Sequence, residues 1–71
     1  MQMSAATTIK KIRIQLCLER IEFAQKLGIS HSSLCNYETG VRAPKLSVIR
    51  KIRELAKENG MDVPVDDFFT D

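Results

Sequence analysis

Residues 20–39 read Arg20-Ile-Glu-Phe-Ala-Gln-Lys-Leu-Gly28-Ile-Ser30-His-Ser-Ser-Leu-Cys-Asn-Tyr-Glu-Thr39, and the order of these residue types decides the fold. Phe23, Ala24 and Leu27 fall on one face of a helix over residues 19–27. Gly28 ends that helix, because glycine accepts the left-handed backbone of a helix C-terminus. Ser30 is then a good N-cap for a second helix, with Leu34 and Tyr37 inward and Gly40 at its close. The small Ala24 lets the second helix cross close over the first, and Gly28 permits the sharp turn between them. Opposite Leu34, a helical wheel places Ser32, Cys35, Asn36 and Thr39 on a short polar face turned to solvent.

The flanking segments supply the rest of a helical core. Ile9, Ile12 and Leu16 recur at helical spacing over residues 8–18, with Thr7 or Thr8 available as N-cap and residues 1–7 expected to be flexible. Gly40-Val-Arg-Ala-Pro44 forms a tight connector, and the fixed φ of Pro44 favours a new helix start. Leu46, Ile49, Ile52, Leu55 and Ala56 trace a fourth amphipathic helix that ends at Asn59-Gly60 and is basic on its outer face. Pro64 opens a short helical turn carrying Phe68 and Phe69. No stretch alternates apolar and polar residues as a strand would. The expected fold is therefore all-α, a compact bundle of four to five helices forming one domain over residues 1–71.

Composition narrows the function classes. With 71 residues, 44% hydrophobic and 28% charged, the chain has the makeup of one ordinary globular domain. Cys17 and Cys35 are its only thiols, and their spacing gives neither a disulfide framework nor a zinc motif, so no metal or other cofactor is implied. Free thiols suit a reducing compartment. Residues 1–8 lack an apolar signal core, and no apolar run approaches the roughly 18–20 residues that span a bilayer. A cytoplasmic location away from any membrane is expected. One histidine and no activated nucleophile leave little with which to do enzyme chemistry. Net charge is only +2, but residues 1–57 hold all eleven Lys and Arg against four acids, whereas residues 58–71 hold five acids and no base. A basic body of this kind suits a polyanion such as nucleic acid.

The ordered features resemble the Xre or Cro-repressor family of bacterial and phage regulators. Leu18-Glu-Arg-Ile-Glu-Phe-Ala-Gln-Lys-Leu-Gly-Ile-Ser30 is similar to the first helix and turn of that family's helix-turn-helix. Ile9-Lys-Lys-Ile-Arg13 resembles its helix one, Tyr37-Glu-Thr-Gly40 the end of its recognition helix, Arg42-Ala-Pro44 its following loop and Val65-Asp-Asp-Phe-Phe69 its closing helix. Around Arg13-Ile-Gln-Leu16 and Ala24-Gln-Lys26 the wording is close to lambdoid phage repressors. The resemblance covers about residues 9–69 and implies a lambda repressor-like bundle whose third helix enters the DNA major groove.

Chemistry fits that implication. Asn36 carries a donor and an acceptor together, matching the N6/N7 edge of adenine; Ser32 and Ser33 can meet several bases, and His31 a base or a phosphate. Phosphate contact is expected from Arg20, where the family usually has glutamine, from Arg42 and Lys45 around the loop, and from Lys10. The resemblance also suggests a structural ion pair between Arg13 and Glu38. Glu19 replaces the usual Ser or Thr N-cap, so slight fraying of the second helix is expected. Phe68 or Phe69 serves either a dimer interface, by resemblance, or core closure. Ile14 and Ile21 lie off their apolar faces, as scattered surface hydrophobes or as a patch for a protein partner. Cys35 is either an inert thiol or a redox-sensitive one. The expected activity is sequence-specific regulation of transcription, repression above all, by a homodimer on a roughly palindromic duplex operator. The alternative is an antitoxin or another protein-interaction module on the same fold.

Overall fold

A computed structural model describes residues 5–69. They form α1 (Ala5–Gln15), α2 (Arg20–Leu27), α3 (His31–Thr39), α4 (Leu46–Glu58) and a 3-10 turn (Val65–Phe68), with no strand among the described residues. The fold is an all-helical bundle.

α1 starts at Ala5, upstream of the expected Thr7 or Thr8 cap; of the segment 1–7 expected to be flexible, residues 1–4 lie outside the described residues. Two successive alanines, the best helix formers, extend the helix upstream. Thr8 is buried inside α1, and its hydroxyl donates to the Asp67 carbonyl at 2.8 Å. The side chain read as a cap thus ties α1 to the closing turn.

All four helices end in the same way. Residues Cys17, Gly28, Gly40 and Gly60 follow α1 to α4 in the left-handed region, with φ of 59°, 71°, 80° and 79°. Each is accompanied by a backward bond from the next amide: Leu18 to Arg13 O, Ile29 to Ala24 O, Val41 to Asn36 O and Met61 to Ala56 O, at 2.9–3.2 Å. This is the Schellman arrangement, which satisfies carbonyls that the last helical turn leaves open. The chain's three glycines all occupy it, and α1 alone uses a cysteine.

One core gathers every element. Ile9 and Ile12 of α1, Phe23, Ala24 and Leu27 of α2, Leu34 and Tyr37 of α3, and Val48, Ile49, Ile52 and Ala56 of α4 are all buried with Phe68. Phe68 is only 3% exposed, so its place in a dimer interface is withdrawn: its ring closes the bundle where the 3-10 turn packs on α1 and α4. Phe69, at 60%, stays on the surface. Leu46 departs from its expected inward position and is 53% exposed, because the first residue of α4 overhangs the edge of the core and Val48 fills the space instead. Arg53 Nε donates to the Val63 carbonyl at 2.9 Å and pins the returning chain to α4.

The exposed Cys17 side chain contributes nothing to the core, while its backbone adopts a conformation costing an L-residue about 1–2 kcal/mol. Cys17→Gly is expected to stabilise the fold by roughly 0.5–1 kcal/mol after the extra chain entropy of glycine is subtracted. In thermal melts this is a rise of a few degrees. A Cys17→Gly midpoint below that of the parent chain rejects the strain.

Candidate nucleic-acid interface

The turn between α2 and α3 is three residues, Gly28 to Ser30. Gly28 carries the reversal, and Lys51 from α4 reaches across to donate from Nζ to the Leu27 carbonyl at 3.3 Å. A cation there complements the negative end of the α2 dipole. A Cβ on Gly28 would stand 3.2 Å from that ammonium, a tight approach in addition to the unfavourable φ. On the other side, Ser30 Oγ accepts from the Ser33 amide at 3.0 Å and starts α3 as its N-cap.

α3 is gripped inward by Leu34 and Tyr37, and its outward residues differ in detail from the wheel. His31 and Ser32 are exposed. Asn36 is half-buried, yet no hydrogen bond engages its side chain among the described residues, so its carboxamide keeps its donors and acceptor. Thr39 folds its hydroxyl back onto the Cys35 carbonyl at 2.8 Å. The Ser33 hydroxyl accepts from Ser30 Oγ at 2.9 Å, and the residue lines the flank facing α4.

That flank is a cleft of about 320 Å³ shared by Gly28, Ser30, Ser33, Lys45, Ser47 and Lys51. It brings together the N-terminus of α3, that of α4 with Lys45 as its N-cap residue, and two lysines. Lys51 was missed in the sequence, where it reads only as part of the basic outer face of α4. Past α3, the Asn36 carbonyl accepts from the amides of Val41 and Arg42 at 3.0 and 3.2 Å. The loop therefore folds over the last turn of α3 and sets the exposed Arg42 beside Asn36. Lys10 is exposed on α1, on a surface it shares with Ile14 and Glu38.

Glu38 sits under this surface with its side chain fully buried. Arg13 Nε donates to Oε2 at 2.8 Å, and Arg20 Nε donates to Oε1 at 3.2 Å. Arg13 also donates to the Leu18 carbonyl at 3.0 Å. The Arg13 side chain is 13% exposed and that of Arg20 42%, so Arg13 is structural while Arg20 still reaches solvent. The same tie clamps the first residue of α2. Glu22 accepts from the Glu19 amide at 3.1 Å and supplies half of a capping box, so Glu19 leaves that helix start better held than its residue type suggests.

A polar, exposed second helix, set by a glycine turn and flanked by cations, defines a helix-turn-helix nucleic-acid reader. A family model described as "Helix-turn-helix" matches residues 9–59, most of the chain. The chain belongs to that family, in its Xre and Cro-repressor branch, and is a DNA-binding regulator of that type. No curated protein and no solved structure matches it. No helix among the described residues is long and apolar enough to cross a membrane. No group of three or more His, Cys, Asp or Glu suited to a metal occurs among them either.

Removing the Glu38 carboxylate strands Arg13 beneath the surface. Glu38→Ala is expected to cost about 3–5 kcal/mol, a large share of the stability of so small a domain. Urea unfolding measures the loss. A denaturation midpoint unchanged within replicate error contradicts the buried pair.

Proposed function

We propose that the chain is a sequence-specific transcriptional repressor that reads a roughly palindromic operator as a homodimer, inserting α3 into the major groove. The observation that carries this reading is the outward row His31, Ser32 and Asn36 on a helix whose other side is locked into the core by Leu34 and Tyr37. Asn36 reads a base edge through its uncommitted carboxamide, with Ser32 and His31 beside it. Arg42, Lys45 and Arg20 hold phosphates, with Lys10 further along α1, and Ser33 acts on the phosphate side through the cleft it shares with Lys45 and Lys51. Base contacts then select the sequence while the cations set register.

One domain of this size reads few base pairs, and a second copy about one helical turn away, roughly 34–36 Å, doubles them. Phe69, exposed at the end of the 3-10 turn, is the side chain assigned to the contact between copies. Occupancy of the operator excludes other proteins from it, which is repression, and the place of action is a bacterial or phage-host cytoplasm. A second reading, a partner-sequestering antitoxin, rests on Ile14 and Ile21, which are 57% and 55% exposed. A stoichiometric second protein copurifying with the chain favours it.

Selection of bound duplexes from a random pool tests the main reading: a motif with two-fold symmetry is expected, and no enrichment rejects it. On the selected duplex, Asn36→Ala is expected to erase sequence preference while salt-sensitive binding to random DNA persists. Arg42→Ala should weaken binding to both duplexes alike and flatten the salt dependence by about one unit of slope. Equal losses on specific and random DNA for Asn36→Ala reject its role as base reader.

A further inference from the structure

We propose that Glu38 is a positioning residue for DNA binding: one of its oxygens holds the fold together, and the other aims Arg20 as a fixed fork at a phosphate beside α3. The inference rests on the phosphate-holding role given to Arg20 and names what orients it. Arg20 Nε donates to Oε1 of the fully buried Glu38 side chain at 3.2 Å. Its two terminal nitrogens have no hydrogen-bond partner among the described residues, and 42% of the side chain is exposed. A guanidinium held through Nε keeps the donors of Nη1 and Nη2 free, and that planar pair can take phosphate oxygens bidentately. Arg20 then has less rotamer freedom to lose when a phosphate arrives, which is the gain from preorganisation.

An arginine paired with a carboxylate usually brings no net charge to a polyanion. Glu38 differs because Arg13 already pairs with its Oε2 at 2.8 Å and gives another bond to the Leu18 carbonyl. Two guanidiniums against one carboxylate leave one positive charge. Arg13 is 13% exposed against 42% for Arg20, so the surplus faces solvent at Arg20. Glu19 and Glu22 stand at the same helix start, but they close the capping box, and neither forms an ion pair with Arg20 among the described residues. The place of Arg20 beside α3 completes the case. On the wheel of α3, Glu38 lies to one side of Leu34 and Ser33 to the other. Arg20 therefore meets α3 on the flank opposite the cleft that Ser33 shares with Lys45 and Lys51. Cations on both flanks suit a helix lying between the two phosphate strands that wall a major groove.

A double-mutant cycle on a random-sequence duplex tests the coupling. Glu38→Gln, Arg20→Gln and the double variant are compared with the parent chain by circular dichroism, urea unfolding and duplex affinity. Glu38→Gln is expected to lower the urea midpoint in both backgrounds, since Arg13 loses its counter-charge either way. Duplex affinity should separate the two oxygens. Removing a negative charge favours DNA by itself, and does so with or without Arg20. Loss of aim is confined to the Arg20 background. There Glu38→Gln should act at least about fivefold more unfavourably than in the Arg20→Gln background, the worth of one hydrogen bond. Equal effects in the two backgrounds overturn the proposal and leave Glu38 a structural residue only. A larger gain in binding with Arg20 present overturns it too, because the carboxylate then withholds Arg20 from phosphate.

Arg20→Lys leaves the carboxylate in place, and it decides the matter if Glu38→Gln does not fold. A lysine that reaches Glu38 ends there, so binding should weaken about fivefold or more. Arg20→Lys binding as tightly as the parent chain overturns the proposal. Arg20→Gln should also lower the salt slope by about 0.9, the share of one phosphate, and an unchanged slope and affinity overturn it equally. A parent chain that binds the random duplex but selects no motif from a pool rejects the repressor reading, and the cycle still decides the role of Glu38. A parent chain that binds no duplex overturns both.

Discussion

The arrangement of the first three helices depends on a buried carboxylate. Glu38 lies on α3, and its two oxygens take Arg13 from α1 and Arg20 from the first residue of α2. Desolvating a carboxylate and most of a guanidinium is costly, and their attraction offsets that cost only when the geometry is good and the remaining polar atoms are satisfied. Both conditions hold here, since Arg13 gives a second bond to the Leu18 carbonyl and no buried side-chain polar atom among the described residues lacks a partner. What the network specifies is relative placement: any sliding of α3 along α1 or α2 separates a charge from its counter-charge out of reach of water. An apolar contact constrains such sliding less, because hydrophobic burial has no preferred direction.

Helix ends extend the same control. α2 stops at Gly28 and α3 starts at Ser30, so the direction of α3 is set within three residues, and Lys51 fastens the outgoing end of α2 to α4. The charge distribution follows from where the chain then goes. After α4 the acidic segment packs chiefly against α1 and α4, leaving α3 flanked by Lys45, Lys51 and Arg42. A net charge of +2 conceals this division, which matters for a polyanionic partner because screening confines each charge to its own neighbourhood.

What was legible in the sequence was whatever depended on local spacing. Phe23, Ala24, Leu27, Leu34 and Tyr37 fall inside as periodicity requires, and Gly28, Ser30 and Gly40 delimit α2 and α3 through backbone preferences that each residue carries alone. Features that depended on distant partners were hidden. Thr8 looks like a cap until Asp67, 59 residues away, supplies its acceptor. The Ser30 hydroxyl donates to that of Ser33, a pairing that neither residue announces alone. Phe68 and Phe69 are chemically identical neighbours, and only the path of the 3-10 turn decides that one closes the core and the other meets solvent. Arg20 reads as a surface cation, yet Glu38 holds its Nε from the far side of the turn. Lys51 becomes part of the site only because α4 passes under the end of α2.

Asn36 shows how scaffold and reading face are coupled. Its carbonyl receives the Val41 and Arg42 amides, so the residue with the free carboxamide also anchors the loop that carries the exposed Arg42. The separation of the Asn36 and Arg42 backbones, from which the proposed base-reading and phosphate-holding side chains extend, is then set by backbone hydrogen bonds. Half-burial of Asn36 works in the same direction, since packing on its flanks removes rotamers that would otherwise be lost at the moment of contact. A fully exposed asparagine would offer the same hydrogen-bonding atoms with a larger entropic cost of ordering them. Discrimination between bases rests on a few directional bonds, so it gains more from this restriction than from additional exposed polar groups on α3.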